Sequence, residues 1–196
     1  MSKKTRIILP ALIILAVAGV AASFQLRASH QDKKSPYTQQ ISSPVRGLSA
    51  QEVDDLLNGR GAGYARMAEL NSYPGPLHVL ELKEQLNLPV AQVQQIESVF
   101  QSMNAEAKRI GAEIVERERM LSTAFADDNI TSVEVQAQTD SLADLYGELR
   151  ATHLKAHLEI TPMLSSEQIL AYNTLRGYSD SKGNHGGSHS GTHHGH

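Results

Sequence analysis

The chain has 196 residues, 40% of them hydrophobic, with no cysteine and no tryptophan, and a formal charge of −3. Without cysteine, a disulfide framework and thiolate metal ligation are both excluded. The small net charge hides an asymmetry: Val45 to Asp180 holds 20 acidic and 11 basic residues, a balance of −9 that repels phosphate backbones and argues against nucleic acid as a partner.

The chain opens on the basic residues Lys3, Lys4 and Arg6, continues through an apolar stretch from Ile7 to Val20, and offers small residues at Val20-Ala21-Ala22. That pattern assigns 1–28 to a secretory signal peptide. The apolar stretch extends to Phe24, so the alternative is an uncleaved anchor in the inner membrane through residues 7–24. The short apolar centre and Pro10 favour cleavage, and either route leaves the remainder in the periplasm. Residues 29–44 are polar, with two prolines and several serines and glutamines, and read as a flexible tether.

Four later segments share one opening: an apolar residue, a capping position, Glu or Gln three residues after the cap, then another apolar residue. They are Leu48-Ser49 with Glu52 and Val53, Leu88-Pro89 with Gln92 and Val93, Ile130-Thr131 with Glu134 and Val135, and Leu164-Ser165 with Gln168 and Ile169. The pattern is a capping box joined to a hydrophobic staple, which satisfies orphan backbone N–H groups and fixes the angle at which the chain enters a helix. Only Pro89 departs from it, lacking a hydroxyl and suiting a first helical turn instead.

Beyond these starts the apolar spacing is helical. Val93, Ile96, Phe100, Met103, Ala107, Ile110 and Ile114 form one seam, continued by Leu121 and Phe125; Val135, Leu142, Leu145, Leu149, Ala156 and Ile160 form a second. Joined by the short link Ala126-Asp127-Asp128-Asn129, they predict a long antiparallel helical hairpin. A shorter helix from Leu77 to Leu86 is expected before it, after the break Tyr73-Pro74-Gly75-Pro76, and another from Ser166 to Leu175 after it. No run alternates with period two, so the fold class is all-α without strands. A narrow hairpin core leaves apolar surface exposed, and a homodimer is the expected way to cover it. The folded domain is 45–178.

Leu164-Ser165-Ser166-Glu167-Gln168 fits the Leu-Thr-x-x-Gln signature with Ser for Thr, and Leu88-Pro89-Val90-Ala91-Gln92 is a degenerate copy of it. With the signal segment and the hairpin, these motifs resemble the Spy/CpxP superfamily over roughly Leu48 to Tyr178. That group includes periplasmic chaperones, the zinc-resistance-associated protein and membrane-anchored metal sensors. The resemblance implies a hook-like, four-helix, dimeric protomer in the periplasm, serving envelope or heavy-metal stress. It implies a transition-metal buffer or sensor, working in the latter case with a membrane sensor protein. Alternatively it implies an ATP-independent chaperone that binds unfolded envelope proteins.

Two groups of histidines carry the chemistry. The Gly- and Ser-rich tail, 179–196, holds His185, His189, His193, His194 and His196. Imidazoles at that density on a Gly-rich chain chelate zinc, nickel, cobalt or copper; the alternatives are a solubilising tail or the remnant of an expression tag. Within the hairpin, His153 and His157 stand at i and i+4 on one face of the second long helix, on a stripe that begins with Tyr146 and Arg150. The short preceding helix presents His78 and Glu81 at i and i+3. Together these four make a candidate site for one divalent transition metal, with Met163, water or backbone completing it. The other reading has His153 and His157 bonding Glu81, Glu159 or backbone at a helix interface. By resemblance, metal sensors of the group also draw ligands from such a histidine pair and from an earlier helix.

Catalysis is not expected. His153-Leu154-Lys155-Ala156-His157 has the histidine spacing of zinc proteases but places Leu154 where the general-base Glu belongs. There is no phosphate loop and no Gly-x-Ser-x-Gly elbow. The carboxylates Glu113, Glu116 and Glu118, beside Arg117 and Arg119, read as a solvated helix face.

Overall fold

The computed structural model describes residues 35–178. The signal or anchor at 1–28, part of the tether and the tail at 179–196 lie outside the described residues. The chain divides into two units, residues 1–41 and 42–196. Of the first, the described part is residues 35–41, with one 3₁₀ turn at Thr38–Gln40.

The second unit is all-α. Six helices follow in order: α1 Ala50–Leu57, α2 Arg66–Leu70, α3 Pro76–Glu81, α4 Val90–Ala126, α5 Ser132–Ile160 and α6 Ser166–Leu175, with a 3₁₀ turn at Thr161–Met163 between the last two. No strand occurs among the described residues. The helix starts lie where the capping pattern puts them. Ser49, Thr131 and Ser165 each accept the N–H of the third residue of their helix, and Glu52, Glu134 and Gln168 each return a side-chain bond to the cap N–H.

The fourth start is wired differently because Pro89 has no side-chain oxygen to offer. Gln92 instead sends its amide across to Gln168, and the two exchange hydrogen bonds of 2.9 and 3.0 Å. Gln92 also donates to the Met163 carbonyl. The two Leu-x-x-x-Gln segments therefore meet in space, clamping the start of α4 to the start of α6.

The long helices α4 and α5 pack along each other in opposite directions: Arg109 pairs with Glu148 at 3.1 Å, while Met103 shares a groove with Ala156. Their seam is divided into two apolar clusters. The first holds Ala107, Ile110 and Ile114 of α4 with Leu142 and Leu149 of α5, covered by Val45, Leu48 and Leu56. The second holds Ile96 and Val99 with Ala156 and Ile160, covered by Val79, Leu86, Leu164 and Tyr172. At roughly 25 cal/mol per Å² of apolar surface removed from water, these clusters supply the main drive for folding.

Three details differ from the sequence expectation. Phe125 is 60% exposed, because the last turns of α4 run past the covering helix α1. The helix expected from Leu77 to Leu86 ends at Glu81. Its remainder is a series of turns leading to Asn87 at φ +49°, which lets Leu86 enter the core immediately before Pro89. The five-residue α2 is additional, too short to show any periodicity in sequence.

Candidate functional site

Between the two clusters, α5 presents a histidine where the seam calls for an apolar residue. Leu149 belongs to one cluster and Ala156 to the other, and His153 stands between them. Beside it opens a cleft of about 560 Å³, walled by the loop 58–63, α2, the start of α3, and Phe100, Met103 and Asn104 of α4. Asn104 anchors the loop by donating to the carbonyls of Asn58 and Gly59 at 3.1 and 3.3 Å. Gly59 is required there, with φ +63° and a Cβ position only 2.9 Å from the Asn104 carbonyl oxygen.

Four potential ligand residues line this cleft: Glu69, His78, His153 and His157. His153 is 3% exposed, stacks on Tyr64 with ring centroids 5.8 Å apart, and its buried Nε2 has no hydrogen-bond partner. Burial holds its pKa below the ordinary value, with the neighbouring His157 adding to the effect, so the ring is neutral at pH 7. A buried ring nitrogen without a partner costs about 1–3 kcal/mol, which marks the atom as awaiting a water, an ion or a ligand.

His157 is also buried, and its Nδ1 lies 2.9 Å from the Tyr73 carbonyl oxygen. A carbonyl only accepts, so Nδ1 carries a proton, and in the neutral ring Nε2 is the nitrogen with a lone pair. His78 repeats the arrangement, with Nδ1 donating to Glu81 at 2.9 Å and Nε2 lying 3.7 Å from Glu69 Oε1. The approach is favourable when Nε2 carries a proton or a cation lies between the two. Donors on one tetrahedral zinc ion at the usual bond lengths stand about 3.3 Å apart, so the observed gap is near coordination distance.

Glu69 joins the other half of the cleft. A Cβ on Gly75 would lie 2.9 Å from His157 Cε1, 3.0 Å from Glu69 Oε1 and 3.2 Å from His157 Nε2, so the glycine lets the imidazole ring and the carboxylate both come close to the backbone there. The second carboxylate oxygen accepts from the Tyr178 hydroxyl at 2.6 Å. Holding one imidazole nitrogen with a carbonyl or carboxylate and pointing the other inward is the usual outer arrangement of metal-binding histidines. Among the described residues, however, no three His, Asp or Glu side chains are close enough to enclose a metal ion as they stand. The donor types are those a transition metal takes, and His78 is the less buried partner of its pair with Glu69, the two side chains being 33% and 14% exposed.

The structure thus brings His78, His153 and His157 to one cleft. Glu81 bonds His78 from an exposed position, with 56% of its side chain in solvent, instead of facing the pair. Glu159 lines a separate groove with Lys155 and Glu106, and Met163 packs against the second cluster. His157 does make the backbone bond expected of an interface histidine, which leaves its Nε2 unused. Sequence reasoning missed Glu69, Gly75 and Tyr64. Their only signal was proximity to the Tyr73–Pro76 break, which folds α2 back against α5. The histidines 185, 189, 193, 194 and 196 lie outside the described residues.

No family model, no curated protein and no solved structure matches the chain. No helix among the described residues is long and apolar enough to cross a membrane.

Proposed function

We propose that this chain is a periplasmic transition-metal-binding protein, a buffer or sensor for envelope or heavy-metal stress, and not an enzyme. Its site is Glu69, His78, His153 and His157, with Glu81 holding His78. One observation carries the reading: His153 is a neutral, nine-tenths buried imidazole whose Nε2 has no partner, lining one cleft with two more imidazoles and a carboxylate. Nitrogen-rich sets of this kind select zinc, nickel, cobalt or copper over calcium and magnesium. The body's negative balance draws cations toward it.

The test is calorimetric titration of zinc and nickel into a protein lacking 182–196, repeated with His153→Ala, His157→Ala and Glu69→Gln. We expect one metal per chain and at least a tenfold loss of affinity for each substitution. If the shortened protein binds nothing, or none of the three changes matters, the site does not exist.

A second reading, an ATP-independent chaperone, has its own support. Val90, Phe125, Val133, Leu158 and Leu170 are each at least 59% exposed, and apolar surface of that kind is used to hold unfolded chains or a second copy of the protein. Suppression of client aggregation that persists with chelator and without the histidines would favour it. A dimeric mass in solution would assign part of that surface to self-association.

A further inference from the structure

The cleft that holds the histidines is larger and more apolar than a metal ion requires. Phe100 has the seam spacing of α4, yet it joins neither apolar cluster and lines the cleft, half-buried, beside Met103. Pro76 and Leu77, at the start of α3, add apolar surface to the same space. A concave, mostly apolar space of about 560 Å³ with a few convergent polar groups has the size and chemistry of a small-molecule site.

Apart from the histidines, three charged side chains line it. Arg60 is held by Asp54 and Asp55, and Glu69 accepts from Tyr178 and Arg176. Arg66 differs. Its guanidinium lies back over Gly63, where a Cβ would stand 2.9 Å from Nη2, and it has no hydrogen-bond or carboxylate partner among the described residues. Gly63, at φ +82°, leaves the room for it. The second group without a partner is His153 Nε2, in a residue only 3% exposed. Tyr64, whose ring stacks on His153, stands two residues before Arg66, so one stretch of chain brings the cation and the orphan nitrogen to the same cleft. A neutral imidazole can carry its proton on Nε2 and donate it. A carboxylate answers both groups, accepting from the guanidinium and from the ring. The body's negative balance opposes an anion at long range, but salt screens it beyond about 8 Å at physiological ionic strength, so the near cation decides.

We infer that the cleft binds a small monocarboxylic acid with an apolar body, its carboxylate bonded by Arg66 and His153 Nε2 and its body lying against Phe100, Met103 and Leu77. This goes beyond the metal reading and does not rest on it, since Arg66, Phe100 and Leu77 are no part of the metal set. His153 is common to both, so the acid is tested with chelator present.

The experiment uses the full chain and three probes of one shape: 4-phenylbutyrate, 4-phenylbutan-1-ol and 4-phenylbutylamine, which are an anion, a neutral molecule and a cation at neutral pH. Calorimetry gives affinity and stoichiometry for the parent, Arg66→Gln and His153→Phe. Arg66 is exposed, so its change leaves the packing alone, and phenylalanine keeps a ring against Tyr64 while removing both nitrogens. We expect one acid per parent chain, bound at least roughly tenfold more tightly than the alcohol, with the amine weakest. Arg66→Gln should bring the acid down to the alcohol's affinity and leave the alcohol unchanged. His153→Phe should weaken acid and alcohol alike, by at least roughly fivefold, since either can take the ring's hydrogen bond. Should His153→Phe lose helicity by circular dichroism, Arg66→Gln alone decides. No saturable binding of the acid, equal affinity for the three probes, or an acid affinity unchanged by Arg66→Gln would overturn the inference. Zinc titration of the same proteins separates the two readings, and Arg66→Gln should keep the parent's zinc affinity. Zinc binding without acid binding removes this inference and leaves the metal site standing; acid binding without zinc binding does the reverse.

Discussion

Glycine-to-alanine changes on the two long helices should move stability in opposite directions. Gly111 of α4 and Gly147 of α5 are both interior helical positions, where alanine is intrinsically better by about 1 kcal/mol. At Gly147 an added Cβ meets nothing within 4 Å, so the full propensity gain should be realised. At Gly111 the same atom would stand 2.1 Å from the Leu56 carbonyl oxygen and 2.7 Å from its carbon. Those are backbone atoms near the end of α1, and they cannot rotate aside. Relief requires α1 to withdraw by more than 1 Å, which loosens Leu56 and Val53 from the first cluster. Overpacking of this kind costs about 1–3 kcal/mol, and contact with rigid backbone puts it at or above the upper end. The net expectation for Gly111→Ala is a loss of about 2 kcal/mol or more, against a gain of about 0.5–1 kcal/mol for Gly147→Ala. With about 2–4 °C per kcal/mol in chains of this size, the midpoints separate by roughly 5–12 °C. Thermal and urea unfolding followed by circular dichroism at 222 nm read both. Equal shifts for the two variants would refute the close approach of α1 to α4.

Three further outcomes follow from the site. Gly75→Ala, at a backbone of φ −87° and ψ 140° that alanine adopts freely, would put its Cβ 2.9 Å from Cε1 of the buried His157 ring, so the ring must shift and some stability is lost with it, while zinc affinity should fall at least tenfold; unchanged calorimetric affinity would remove Glu69 and His157 from the site. The depressed pKa of His153 means that the unfolded chain takes up a proton before the folded one as pH falls. Metal-free stability should therefore be full above about pH 6.5 and decline below it, by at most about 1.4 kcal/mol per unit, until the folded ring also titrates; His153→Phe should flatten that segment of the urea-midpoint profile, and a variant with the parent's slope would assign the decline elsewhere. Ser165→Ala removes the cap of α6 beside the Gln92–Gln168 clamp and should cost about 1 kcal/mol; a loss below 0.3 kcal/mol by urea midpoint, on the order of the error of such measurements, would show that Gln168 holds the helix start without the hydroxyl.

Helix identity and most helix starts were legible in the residues, because capping boxes and apolar seams with helical spacing are local signals: Ser49, Thr131 and Ser165 cap as their spacing requires. The pairing of His153 with His157 was equally local, since i and i+4 share a helix face in every α-helix. What only the tertiary structure decided is which side of that face is buried and what comes to meet it. His153 lies in the gap between two apolar clusters because α1 covers one end of the hairpin and α3 and α6 the other, and no periodicity records where those covers stop. Glu69 sits on a single helical turn with no pattern of its own. It reaches the histidines because the Tyr73–Pro76 break reverses the chain and Tyr178, more than a hundred residues later, returns to hold its carboxylate. Contacts of that separation depend on how several elements pack at once, and a single sequence contains the parts of such a contact but not their meeting.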